Sequence, residues 1–276
     1  MTKIIFLSVV FFISSQVGFH FWPEFSKVSG IRVDYLSPTL YFLDILIVAL
    51  LLFSFPKFGQ YLKRIRSAKA PKLLLSLLVL SLIWNLFYSK SSGAHLFGAL
   101  KLLEFTFLGI YALFEFQKRD IRGFITVLSL SAVISSTLSI WQFLNQSSVG
   151  GLWYFFGERT FNISTIGIST VNLDHLVLRP YAAFPHPNVL AFFLLTAIIF
   201  IVPRISYEKR SVVKMFLILT ILLSTVGLFL PFARVAILLT IAFLLYEIYA
   251  NLKSKRFAIT LTVILGILSI FVFSNI

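Results

Sequence analysis

The sequence predicts an all-α protein: a polytopic bundle of about nine transmembrane helices with one long external loop carrying a small β-hairpin. Three observations lead there. Hydrophobic residues make up 59% of the 276 residues and charged residues only 12%, about half the charged share of a soluble domain. A water-soluble fold of this composition would expose a very large apolar surface, so the solvent it is built for is lipid. The apolar residues also fall in runs approaching membrane length, with basic clusters between alternate runs.

Taken in order, the runs lie near residues 4–19, 39–55, 73–88, 95–116, 124–143, 188–203, 212–231, 235–250 and 257–274. With their loops they are read as one transmembrane domain over 1–276. The first, Lys3 followed by IIFLSVVFFISS, has the outline of a signal peptide. Because SSQVGFHF offers no clear small-x-small cleavage site, it is read as a retained helix. Several runs fall short of about 20 residues; flanking Trp, Tyr, Lys and Arg extend them into the interface.

The loops set the orientation. One side carries Lys3, then Lys57, Lys63, Arg64, Arg66, Lys69 and Lys72, then Lys118, Arg119 and Arg122, then Arg204, Lys209, Arg210 and Lys214, then Lys253, Lys255 and Arg256. The remaining basic residues are Lys27, Arg32, Lys90, Lys101, Arg159, Arg179 and Arg234. The positive-inside rule makes the richer side cytoplasmic, so the N-terminus is expected inside and, after nine crossings, the C-terminus outside. Membrane orientation accounts for the net charge of +14. No stretch combines a basic face with a soluble fold, so nucleic acid is not an expected partner.

The outer loops are distinctive. Residues 20–38, with Trp22, Pro23, Gly30 and Pro38, read as an interfacial loop. Residues 144–187 form the one long loop, and its Trp153, Tyr154, Phe155 and Phe156 argue for order. Partial alternation on either side of Asn172 to His175 predicts the β-hairpin. Arg179 follows it. Pro180, Pro185 and Pro187 then impose irregular backbone up to Asn188, where the next span begins. Such backbone at the lipid boundary needs protein cover or an aqueous cavity. Asn188 is placed to cap the next helix, but capping accounts for that residue alone.

Arg234 stands at the outer turn between the seventh and eighth spans, with no acidic residue nearby in sequence. Two readings are open: a side chain snorkelling to headgroups, or a guanidinium clamp for an anion. Lys101 and Glu104 fall inside the fourth span and share a helix face. They are either a neutralising pair facing the bundle interior or a functional charge, and Asp44 could partner a basic residue across the bundle. Among His20, His95, His175 and His186 no pair has metal-ligand spacing, and Cys is absent, so no metal site is expected. His186 stands out for its place in the proline-rich turn. No phosphate-binding glycine loop, dinucleotide fingerprint or nucleophile elbow is present.

The run LRPYAAFPHPNVLA over residues 178–191, with FARVA over 232–236, resembles the O-antigen ligase and polysaccharide polymerase-like superfamily. In that family an outer loop carries an Arg and then a Phe…Pro-Asn entry into a helix, and a later helix begins with Ser-Arg-Gly. Here Ala233 and Val235 replace the Ser and Gly, and the Arg is kept as Arg234. The helix with Lys101 and Glu104 looks like the family's early Lys-bearing span. The resemblance implies a metal-independent glycosyltransferase without cofactor in the bacterial inner membrane. It would move a glycan from a polyprenyl-pyrophosphate carrier to a glycan, lipid or protein acceptor at the outer face. Arg179 and Arg234 would hold the pyrophosphate, with Lys101, Glu104, His186 and Asn188 in support; no catalytic residue is assigned. Family members continue into a large external loop with a functional His, so the resemblance also implies that this chain is their N-terminal portion, of doubtful catalytic competence by itself. Two other classes stay open. One is a transporter or flippase of a lipid-linked or anionic solute, for which internal repeats and broken mid-membrane helices are expected. The other is a non-catalytic membrane subunit.

Overall fold

The structure, a computed structural model, describes residues 1–33, 36–67, 69–88, 91–250, 259, 260, 262, 263, 266 and 267. Among these, five helices are long and apolar enough to cross a membrane: Phe42–Ser67, Ser92–Glu115, Lys118–Asn145, Pro187–Tyr207 and Ser211–Phe229. The shortest has 19 residues and so reaches about 28 Å, close to the ~30 Å hydrocarbon thickness. In length and composition these are the helices of a membrane protein.

The helices are α1 (Thr2–Phe12), α2 (Phe42–Ser54), α3 (Phe58–Ser67), α4 (Lys69–Tyr88), α5 (Ser92–Glu115), α6 (Ile121–Asn145), α7 (Pro187–Tyr207), α8 (Ser211–Phe229) and α9 (Arg234–Ala250). Each predicted run from 4–19 to 235–250 carries a helix, while the run 257–274 lies for the most part outside the described residues. α1 stops short of its run. Beyond it the Ser14 hydroxyl bonds that of Ser131 at 2.8 Å, and Ser15 Oγ donates to the Phe156 carbonyl at 2.8 Å. Serine side chains that find partners outside the helix favour ending it there.

Two compact units are formed, Met1–Val9 with Gly18–Ile121, and Val10–Val17 with Arg122–Ile276. In the first, the segment read as an interfacial loop carries two small sheets in and beside it. β1 (Gly18–His20) pairs antiparallel with β4 (Thr39–Tyr41), and β2 (Lys27–Val28) with β3 (Ile31–Arg32). Ser29 and Gly30, both at positive φ, make the tight turn of the second pair. Strands of two or three residues are too short for alternation to show in sequence. α2 starts where the Asp44 carboxylate accepts the Tyr41 N–H at 2.7 Å, and α2 packs on α5.

The second unit holds α6 to α9. α7 buries Leu190, Ala191, Leu194, Ile198, Ile201 and Ile205, a stripe at helical spacing, mostly against α8 and then α9. Phe192 and Phe200 stay exposed on the remaining surface. α6 inverts the soluble pattern: it buries Ser129, Ser131, Ser135, Ser136 and Ser139 while Leu130 and Trp141 are exposed. In lipid no hydrophobic force drives helices together, so close contact through small residues does. Gly227 of α8 follows the same logic, since a Cβ there would lie 3.1 Å from Ser136 Cα and 3.1 Å from Leu194 Cδ1. The predicted hairpin is present as β5 (Thr170–Leu173) and β6 (His175–Leu178), with Asp174 at positive φ in the turn.

Candidate functional site

β6 ends at Leu178, and the next residue, Arg179, ties three segments of the second unit together. Its N–H donates to the Ser169 carbonyl at 3.1 Å. Its guanidinium donates from Nε to the Pro231 carbonyl at 2.6 Å, from Nη1 to Ser169 Oγ at 2.9 Å and from Nη2 to Asn188 Oδ1 at 2.6 Å. A guanidinium has five N–H groups, so among the described residues each terminal nitrogen keeps one N–H beyond these bonds. Burial pulls the Arg179 pKa below its ordinary value, though a guanidinium remains protonated at any physiological pH.

The proline-rich backbone after Arg179 is held from behind by Gln142, a fully buried residue of α6. Gln142 Oε1 accepts the N–H groups of Tyr181 and Ala182 at 3.0 and 2.8 Å. Its Nε2 donates to the Ala182 carbonyl at 2.9 Å and to Glu158 Oε1 at 2.8 Å. The Glu158 carboxylate also accepts the N–H groups of Val149 and Gly150, both at 2.7 Å. The irregular backbone before α7 is thus satisfied by side chains rather than by a ladder. Ala182 and Phe232 sit at φ of 50° and 53°, a left-handed conformation that non-glycine residues hold only where their surroundings over-determine it.

Arg234 opens α9. The Ala233 carbonyl accepts the Ile237 N–H at 3.1 Å, which makes Arg234, Val235 and Ala236 the first turn of α9. These residues, with Arg179, Asn188 and Thr170, line one cleft of about 450 Å³. Two guanidinium-bearing residues and the positive end of a 17-residue helix therefore share a cavity. Among the described residues that line it there is no carboxylate. The arrangement suits a polyanion of the size of a phosphate ester.

The other predicted residues are placed as follows. The helix cap belongs to His186, not Asn188: His186 Nδ1 accepts the Asn188 N–H at 3.1 Å. Pro187 has no N–H and its ring presets helical φ, so it takes the first helical position and the cap falls on the residue before it. The Asn188 side chain turns instead to Arg179. Burial, reinforced by the charges of Arg179 and Arg159, holds the His186 pKa below its ordinary 6.5, which keeps Nδ1 an acceptor. His186 itself does not line the cleft. Lys101 and Glu104 belong to the first unit. Lys101 Nζ bonds the Asp44 carboxylate, lies 3.5 Å from Glu104 Oε2, and faces the rings of Tyr41 and Phe97 at 5.4 and 5.3 Å. The pair read from the sequence is a triad completed by Asp44. Among the described residues no group of three or more His, Cys, Asp or Glu is placed to hold a metal ion.

Gln142, Glu158 and Ser169 were not singled out by sequence. A polar amide inside the apolar run 124–143 was the one signal for Gln142. No family model, curated protein or solved structure matches the chain.

Proposed function

We propose that this chain is a membrane glycosyltransferase of the O-antigen ligase and polymerase type, and that the cleft between Arg179 and Arg234 holds the pyrophosphate of a polyprenyl-linked glycan. The observation that carries the reading is the convergence of Arg179, Asn188 and Arg234, from both short motifs, on one cavity at the start of α9. When the bond from the sugar to the pyrophosphate breaks, negative charge grows on the departing oxygen. Fixed guanidinium groups and helix N–H groups stabilise that charge without reorganising. Arg179 is suited to this because its three anchoring bonds fix its plane in advance. Asn188 positions Arg179, and His186 positions Asn188.

In the proposed membrane arrangement nine spans cross the bacterial inner membrane, with the N-terminus inside and the C-terminus outside. The basic clusters support it, and it puts the cleft at the outer face, where lipid-linked glycans are transferred to glycan, lipid or protein acceptors.

The test is direct binding. The purified chain in nonionic detergent is titrated with a short polyprenyl pyrophosphate and with the uncharged alcohol. The pyrophosphate is expected to bind in preference. Arg179→Ala and Arg234→Ala are each expected to weaken it about tenfold or more, the scale of a lost charge-assisted hydrogen bond. Arg234→Lys should recover only part of the loss, because an ammonium lacks the planar fork. Unchanged affinity in both alanine variants would remove the clamp and the reading with it.

A further inference from the structure

A second basic cleft, of about 120 Å³, lies at the other end of α7, and pyrophosphate binding makes no use of it. The 21 residues of α7 separate the two clefts by about 30 Å, one hydrocarbon thickness. Three helix ends meet here: the starts of α6 and α8 and the end of α7. Arg122 comes from α6, Arg204 from α7, and Arg210 from the entry to α8, with Glu208 between them. Ile125 and Leu217, both buried, form an apolar floor.

The charges here run against local preference. The positive end of a helix favours acidic residues, and Asp120 precedes α6 but pairs with Lys3 and does not line the cleft, so the starts of α6 and α8 bring no carboxylate to it. Arg122 lies in the first turn of α6, and Arg210 is the N-cap residue of α8. Glu208 does not balance them. Its carboxylate accepts the N–H groups of Lys209 and Arg210, both at 3.1 Å, and pairs with Arg204. The Arg210 amide above all, then the guanidinium groups of Arg204 and Arg122, hold it below the usual carboxylate range, so it stays ionised and shapes the rim. Three guanidinium groups against one carboxylate leave an excess of positive charge over an apolar floor.

We propose that this cleft binds the phosphate of an anionic phospholipid, with Arg122 and Arg210 on the phosphate and the apolar floor under the start of an acyl chain. A basic pocket at three helix ends with an apolar floor matches such a headgroup better than a soluble anion. The proposed topology puts this end at the cytoplasmic leaflet, where anionic lipids are enriched. The inference does not depend on the glycosyltransferase reading and would stand if that failed.

The full chain in nonionic detergent would be offered phosphatidylglycerol, phosphatidylcholine or inorganic phosphate, and bound lipid counted by native mass spectrometry. One phosphatidylglycerol is expected to be retained in preference to phosphatidylcholine. Arg122→Gln and Arg210→Gln should each weaken retention about fivefold, the value of one basic residue at an anionic surface. Arg122→Lys and Arg210→Lys keep the charge and should retain most of it, which separates loss of the site from misfolding. Lys63→Gln, at an exposed position of α3, should change nothing. Equal retention of the two lipids, or an equal loss in Lys63→Gln, would reduce the cleft to diffuse surface charge and overturn the proposal. Displacement of the lipid by equimolar inorganic phosphate would overturn it in favour of a soluble ligand.

Discussion

At the scale of single residues, two side chains set the chemistry of the proposed pyrophosphate cleft. Arg179 is a fixed charge, and removing it would leave Ser169, Asn188 and the Pro231 carbonyl each short of a donor. His186 is a titrating cap. Its folded-state pKa is depressed, by burial first and by Arg179 and Arg159 next, so folding binds fewer protons than the unfolded chain does in the window below 6.5. The stability that the neutral cap contributes is fully present above the ordinary histidine value of 6.5 and is lost as pH falls through the lower folded value. Thermal unfolding followed from pH 7.5 to 5 should show this slope in the wild type. His186→Asn keeps a capping acceptor without a titrating ring, so its slope in this window should be shallower. Equal slopes would show that the cap is not the titrating group.

At the scale of elements, the supports of the cleft are harder to read than the cleft itself. Gln142→Leu should fit its site by volume but strip acceptors from the Tyr181 and Ala182 amides and a donor from Ala182 and Glu158. Buried groups left unpaired make this a loss of about 3 kcal/mol, with faster hydrogen exchange at both amides as the specific sign. Gly227→Val would force a branched side chain against the α6 backbone at Ser136. It should cost about 2 kcal/mol, within the range for overpacking, read as a lower melting temperature. Helices and the β5–β6 hairpin were legible from apolar runs and alternation, because both report periodicity over many residues. The β1–β4 and β2–β3 pairs were not: β1–β4 joins residues distant in sequence, from Gly18 with Tyr41 to His20 with Thr39, and the β2–β3 strands of two residues each are too short to show alternation. Arg179 and Arg234 were legible as basic residues on a span boundary. That they would act together came only from the family resemblance, because the cleft they line depends on how α7, α8 and α9 pack. Lys101 and Glu104 lie in the other unit, where Asp44 on α2 pairs with Lys101.

At the scale of the molecule, the proposed orientation makes a prediction with three readings. Reporter domains fused after Arg66 and Lys209 should be cytoplasmic, and one fused after Gly150 should be external. A common location for Gly150 and Lys209 would break the alternation and move the cleft to the wrong face. The tie at Arg179 also has a bearing on biosynthesis. Its partners at Ser169 and Asn188 are close by in sequence, whereas Pro231 lies beyond α7 and α8. A nascent chain leaving the ribosome can therefore set the arginine against its near neighbours early. It gains the third bond only after two further helices have been made and inserted. The cleft is completed late in synthesis, so a chain stalled within α8 would present a half-anchored cation to the quality-control machinery of the membrane.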